Sequence, residues 1–347
     1  MPFKRVTMAD IAQACGLSRN TVSKIFNNRG TVPEGTRQMV LKKAQELGYH
    51  LLPEKEAPPV VSRNLNIALL TRHMPSDYHF GTFFIPAFAD QLSRVGYTLT
   101  MCEITPEELA SGSLPHHLVL EQTAGILAIE LFDRPYHEML CGLGIPVLSV
   151  DAYFGAHTAP MKCDMISMEN IASSYALTAR LLDAGAQHLG FVGDVEHCNS
   201  FHERWLGFSA ALQDRGMPVN RATCILEPDS APYHDPEWVI ARLRKMPVLP
   251  DAFLCANDFL ALHLMTTLKR NGISIPGDVM VAGFDGTPQS AIVEPSLTTA
   301  QIPSAEIGRL AAETLLNRIE NPERPFQRTY VHTTPQFRSS TAREAIR

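Results

Sequence analysis

Apolar residues in the first fifty positions recur at helical spacing in three short runs. Thr7 with Asp10 three residues on predicts a capping-box start, and Ile11 and Ala12 form the inner stripe of a first helix that stops at Gly16. Ser18 predicts the cap of a second helix carrying Val22 and Ile25 inward. Pro33 suits the first turn of a third, whose Val40, Leu41, Ala44 and Leu47 point inward until Gly48 ends it. Together these predict one small all-α unit over residues 1–50.

Residues 51–63 lack periodicity, hold Pro53, Pro58 and Pro59 and a Glu-Lys-Glu cluster, and are expected to be a linker. Beyond them the pattern changes to short β-type runs separated by amphipathic helical segments: LNIALL, YTLTMCEI, GILAIEL and PVLSVDA, then HLGFVGD, DAFLCAND and VMVAGFDG. Strands alternating with helices of this length predict βαβ units and parallel sheets covered on both faces, hence two doubly wound α/β subdomains. The expected boundaries are 64–162 with about 292–327 for the first subdomain, and 163–291 with about 328–341 for the second.

Charge is unevenly distributed. The net charge is −6, yet residues 1–50 carry eight Lys or Arg against three acids, so a basic end joins an acidic body. That split suits a polyanion at one end, with nucleic acid the obvious candidate. The seven cysteines are odd in number and form no CxxC pair, which predicts neither a disulfide framework nor a zinc site and suits a reducing compartment. With no apolar leader and no stretch long enough to cross a bilayer, a cytoplasmic location is expected and no membrane partner.

The segment TMADIAQACGLSRNTVSKIFN has what a helix-turn-helix needs: small residues and a Gly at the tight turn, apolar residues locking both helices, and polar side chains opening the second. The recognition helix falls at about residues 18–26. Arg19 can fork onto guanine and Asn20 can pair with adenine, with Thr21 and Ser23 beside them, while Thr7, Ser18, Lys24 and Arg29 are expected to position the unit on phosphates, and Asn27 is a further DNA-contact candidate. A solvated helix face is the bland alternative for Arg19 and Asn20; the turn and the basic surplus favour double-stranded DNA.

The run from Val6 to Tyr49 resembles the headpiece of the lactose-repressor (LacI/GalR) family, and LSVD, FHERWLGF, LCANDFLAL, ISIPGDVMVAGFDGTP, EPSLTTAQIP and FRSST follow that family's core in order. The resemblance implies a homodimeric transcription regulator, usually a repressor, reading a pseudo-palindromic operator. It also implies a core with the periplasmic-binding-protein fold and a small-molecule effector between its subdomains. One stretch departs from the family: where a hinge helix normally wedges a Leu into the minor groove, this chain has Pro58 and Pro59 flanked by Glu54 and Glu56, which disfavour both a helix and phosphate contact.

In open α/β sheets ligands bind beyond the carboxyl ends of strands. Asp151 after PVLSV, Asn257 after AFLCA and Asp285 after VMVAGF stand at such ends, Arg204 lies in FHERW on the following helix, and all four match the family's effector contacts. Carboxylates accept from paired hydroxyls and a guanidinium donates to ring oxygens, so a sugar or sugar derivative is favoured, with a nucleobase or other metabolite open. Asn257 could equally cap a helix and Asp151 close a turn. Tyr78 and Phe84, with Phe80 and Phe83, are candidates to stack on a ligand or to pack the core, and Arg72 is a rim candidate. No GxSxG, Walker A, HExxH or GxGxxG pattern is present, no cofactor is implied, and the pairs His116-His117 and His197-Cys198 diverge on regular structure, so no metal ligand is assigned. The alternatives are a solute-binding protein without regulatory role, which would have no use for the basic headpiece, and a DNA-binding protein indifferent to ligands.

Overall fold

A computed structural model describes residues 6–26, 32–47, 65–74, 81–156, 158 and 161–343 of the chain. Two compact units divide it, Met1–Arg63 and Asn64–Arg347. Asn27, Arg29, Tyr78 and the stretch 51–63 lie outside the described residues.

In the first unit, α1 (Met8–Cys15) begins at Thr7, whose hydroxyl accepts from Asp10 N while Asp10 Oδ2 accepts from Thr7 N at 2.7 Å. It ends at Gly16, held left-handed at φ 65°, a conformation without a Cβ penalty only for glycine. In α2 (Arg19–Phe26) the first turn is tied down by Ser18 Oγ, which accepts from Thr21 N at 3.1 Å. Ile11, Ala12, Val22 and Ile25 close onto Val40 and Ala44 of α3 (Glu34–Glu46) to form the core. Leu41 and Leu47, expected inward, are exposed at 46% and 37%. Leu41 follows the buried Val40 by only one position, so it turns off the inner stripe.

The second unit opens with β1 (Asn66–Thr71), α4 (Gly81–Arg94), β2 (Thr98–Glu103), α5 (Pro106–Ser111), β3 (Thr123–Ile129), α6 (Arg134–Cys141), β4 (Val147–Val150) and β5 (Asp164–Met168). It continues through α7 (Ile171–Asp183), β6 (Leu189–Val192), α8 (Asn199–Asp214), α9 (Pro236–Leu243), β7 (Ala252–Cys255), α10 (Asp258–Arg270), β8 (Met280–Ala282), α11 (Pro288–Ile292) and β9 (Thr299–Gln301). It ends with α12 (Ser304–Glu320), β10 (Arg328–Val331) and β11 (Thr334–Gln336). One lobe is built on a parallel sheet ordered β10-β5-β4-β3-β1-β2, the other on a parallel sheet ordered β6-β7-β8. Beside β8, bridges at Ala282–Thr298 and Asp285–Gln301 attach β9, which pairs antiparallel with β11. Strands such as β4 and β5 are buried along their whole length, as helices on both faces require.

The lobe boundaries differ from the sequence expectation. Asp164–Met168 and Arg328–Val331, assigned to the second subdomain, are strands of the first sheet, whereas Thr299–Gln301, assigned to the first, stands against β8. The crossings therefore fall at residues 169–170, 302–303 and 332–333. A buried ion pair pins β5 in place: Arg318 of α12 donates to both oxygens of Asp164 at 2.8 and 3.0 Å, and its remaining donors reach the carbonyls of Pro322, Arg324 and Pro325. On the opposite side α12 crosses α4 at Gly308, where a Cβ would stand 2.4 Å from the Phe84 carbonyl oxygen. Phe84 is fully buried there and stacked on Phe88, so it is a core residue and not a ligand contact.

Candidate nucleic-acid interface and ligand cleft

On α2 the exposed positions are Ser18, Arg19, Asn20 and Lys24, with Thr21 and Ser23 half-buried. Val22 and Ile25 take the opposite face into the core, so the polar opening of the helix stands clear of the unit with its side chains presented together. Thr7 is committed to its capping box, which leaves its exposed position rather than a free hydroxyl to meet a phosphate.

Between the two lobes of the second unit lies a cavity of about 660 Å³. Asp151, Arg204, Asn257, Asp285 and Arg72 all line it, which brings together the polar residues expected from strand ends. Glu130, Asp133 and Asp229 also line it, as do His73, His197 and the rings of Phe132, Phe201 and Phe259, none of which the sequence reading assigned.

Three acids share an unusual backbone. Among the described residues, the non-glycine positions with positive φ are Glu130 at 52°, Asp151 at 61° and Asp285 at 115°, and all three line this cavity. Each follows a buried strand: Glu130 follows β3, Asp151 follows β4 and Asp285 comes just beyond β8. Holding an L-residue in this region costs on the order of 1–3 kcal/mol, and such strain clusters where side chains must be aimed at a ligand. Glu130 was legible by the signal that marked Asp151, an acid directly after an apolar run.

Arg204 is the hub of the cleft floor. Its Nε donates to Asn170 Oδ1 at 3.0 Å, Nη1 donates to the Ala256 carbonyl at 2.6 Å and lies 3.3 Å from Asp285 Oδ1, and its guanidinium sits 3.8 Å from the centre of the Phe284 ring. Asn170 is itself held by Glu203, which accepts from its amide at 2.8 Å, so the first crossing between the lobes is hydrogen-bonded to the cleft residue. Asp151 is buried, and its Oδ1 has no hydrogen-bond partner among the described residues. Burial pushes its carboxyl above the ordinary range, against the pull of the Ala152 N–H, the Ser200 hydroxyl and Arg204.

Asn257 does both things the sequence allowed. Its side chain accepts from Leu260 N at 2.9 Å, capping α10, and it lines the cavity. The neighbouring Asp258 is turned away and buried, accepting from Thr287 N, Thr287 Oγ1 and Thr299 Oγ1 at 2.8, 3.1 and 2.6 Å. Burial still outweighs those donors and raises its carboxyl to about 6. Arg72 Nη1 donates to the Ile104 carbonyl from the rim. In the aromatic wall Phe132 stands edge to face with His197 at 4.9 Å, and His197 is tilted against Phe201 at 5.2 Å.

Residues 7–51 match the bacterial regulatory proteins of the lacI family, and residues 178–341 match the periplasmic binding protein-like domain. The chain belongs to the LacI family. A relative spanning nearly all of it is the HTH-type transcriptional repressor PurR of Vibrio parahaemolyticus serotype O3:K6 (strain RIMD 2210633), 29% identical over 91% of this chain and 93% of that protein. Among solved structures, the transcriptional regulator CelR in its cellobiose complex has a TM-score of 0.70 at 23% identity, covering 97% of this chain and 100% of that one. The lac repressor dimer bound to operator and the anti-inducer ONPF has a TM-score of 0.68 at 21% identity, over 97% and 99%. This LacI-family chain is thus a DNA-binding transcription regulator with a helix-turn-helix headpiece and a parallel-sheet α/β core. No helix among the described residues is long and apolar enough to cross a membrane.

Proposed function

We propose that this regulator is a homodimeric repressor that reads a pseudo-palindromic operator through α2 and is controlled by a neutral, polyhydroxylated effector, a sugar or sugar derivative, bound in the cleft between the core lobes. The observation that carries this reading is the set of strained acids, Glu130, Asp151 and Asp285, aimed into one cavity beside Arg204. Carboxylates accept from adjacent hydroxyl pairs, and rings such as Phe132 and Phe201 offer apolar faces to the C–H side of a pyranose. Five lining carboxylates face two arginines, one of which is already paired with Asp285, so a phosphate or carboxylate ligand would meet net repulsion.

The aromatic wall also suits a nucleobase, and the test separates the two. Purified protein is screened by thermal shift against neutral sugars, sugar acids, sugar phosphates and nucleobases, because a ligand that binds only the folded state raises the melting temperature. A neutral sugar is expected to stabilise the wild type, to lose that effect in Asp151→Asn, and to change operator affinity in fluorescence anisotropy. A hit confined to nucleobases or to anionic sugars would overturn the assignment of the effector class.

A further inference from the structure

Away from the cleft, α6 carries His137 and Cys141 one turn apart on the same helix face, and Cys163 meets them from the residue just before β5. One ligand atom from each lies within 4.8 Å of the others. Cys141 Sγ is 3.7 Å from His137 Nδ1. A tetrahedral zinc ion with metal–sulfur distances of about 2.3 Å and metal–nitrogen distances of about 2.1 Å places sulfur and nitrogen about 3.6 Å apart and two sulfurs about 3.8 Å apart. His137 and Cys163 are buried, and Cys141 is half-buried, which gives an approach from solvent. The ring of Tyr153 stands edge-on to the imidazole at 5.7 Å and fixes its plane.

Two features set this group apart from an ordinary apolar packing cluster. His137 Nε2 is buried without a hydrogen-bond partner among the described residues, an arrangement that is costly for a histidine present only to fill space. The donors are also of one soft kind, since two cysteine sulfurs and an imidazole nitrogen converge within 4.8 Å of one another.

We propose that His137, Cys141 and Cys163 form a binding site for a thiophilic divalent ion of the zinc class, with three protein ligands and a fourth position open to water. The sequence pointed away from it because the cysteines form no CxxC pair, and only the fold brings Cys163 to the helix. Soft sulfur donors with one imidazole select such an ion over magnesium or calcium. The site ties α6, whose N-cap Asp133 lines the cleft, to the start of β5, whose last residue Met168 also lines it.

The test is titration of the reduced, full-length, metal-free protein with Co²⁺, followed by competition with Zn²⁺. The expected result is thiolate-to-cobalt charge-transfer absorption with intense tetrahedral d–d bands, saturating at one ion per chain, displaced by Zn²⁺, and lost in both Cys141→Ser and Cys163→Ser. Zn²⁺ should raise the melting temperature of the wild type and leave both variants unmoved. Cys141→Ser, at the half-buried position, keeps the test available if Cys163→Ser fails to fold. Absence of the cobalt bands, their survival in either serine variant, or a reduced protein that binds no metal but yields a Cys141–Cys163 disulfide on oxidation would overturn the proposal.

Discussion

Replacing Arg204 tests whether the cleft floor is a buried electrostatic hub. Its side chain is 4% exposed and that of Asp285 13%, and the guanidinium also serves Asn170 and the Ala256 carbonyl. Removing one partner of a buried pair costs about 3–5 kcal/mol, because the other charge is left desolvated. Asp285 retains some access to the cavity, so water can rehydrate it and the lower end, about 3 kcal/mol, is expected for Arg204→Met. For a core of this size that corresponds to a melting temperature lower by about 6–10 °C. Thermal unfolding followed by circular dichroism reads this directly. Asp285→Asn provides the other edge of a double-mutant cycle, and the double variant should recover part of the loss, with a coupling of about 1–3 kcal/mol. If Arg204→Met melts within 1 °C of the wild type, or the two substitutions are additive, the description of Arg204 and Asp285 as one desolvated unit is wrong. Ligand response should be absent in Arg204→Met even at temperatures where it is fully folded, and operator affinity without ligand should stay close to that of the wild type.

Further outcomes follow from single contacts. Arg19→Ala should weaken binding to the cognate operator by about 1–3 kcal/mol, roughly 5- to 150-fold, while affinity for scrambled duplex changes little; equal losses on both would assign Arg19 to phosphate contact. Burial raises the Asp258 carboxyl from 3.8 to about 6, so the folded state binds the extra proton between those values and stability from this group is greatest below about pH 4 and lost as pH rises through 6. The stability of the wild type relative to Asp258→Asn, from urea unfolding at several pH values, should therefore fall by up to about 3 kcal/mol between pH 4 and 7, and a flat difference would refute the assignment. Arg318→Met should destabilise the core by about 3–5 kcal/mol, because it strands the Asp164 carboxylate that also accepts from Gln327 N. A variant as stable as the wild type in urea would count against that account.

Several elements were legible because local rules and tertiary packing agree. Thr7 with Asp10, Gly16, and the inward pair Val22 and Ile25 specify α1, the turn and α2 without reference to anything distant. The apolar runs that became β1, β3, β4, β6 and β7 announce strands covered on both faces. By contrast β9, β10 and β11 are three or four residues long and largely polar or half-exposed, and β5 alternates Met, Ile and Ser after an acid whose partner, Arg318, is remote in sequence. No window-based pattern sees those, and among them β5, β9 and β10 are the segments whose lobe was misassigned. Phe84 was ambiguous for another reason: an aromatic just past a strand suits a cleft or a core equally, and only the crossing of α12 at Gly308 decides for the core.

The same geography gives the proposed effector a physical hold on the crossings between the core lobes. Asn170 lies in the first crossing between lobes and receives the Arg204 guanidinium; Ile302, in the second, donates its N–H to the Asp285 carbonyl at 3.1 Å. In the third crossing Thr333 donates to the Glu169 carbonyl at 2.7 Å, binding that crossing to the first. A ligand that draws on Arg204 and Asp285 therefore acts on the residues that set the angle between the lobes, not on one wall of a passive pocket. The coupling required is modest, since about 1–3 kcal/mol between ligand and operator changes affinity 5- to 150-fold. Asn170→Ala removes the link between Arg204 and the crossing while leaving the ion pair with Asp285 in place. It should preserve effector binding in the thermal-shift assay within about threefold while reducing the effector's influence on operator affinity. Loss of both together would place Asn170 in the binding surface itself, and retention of full response would show that the crossings transmit nothing through it.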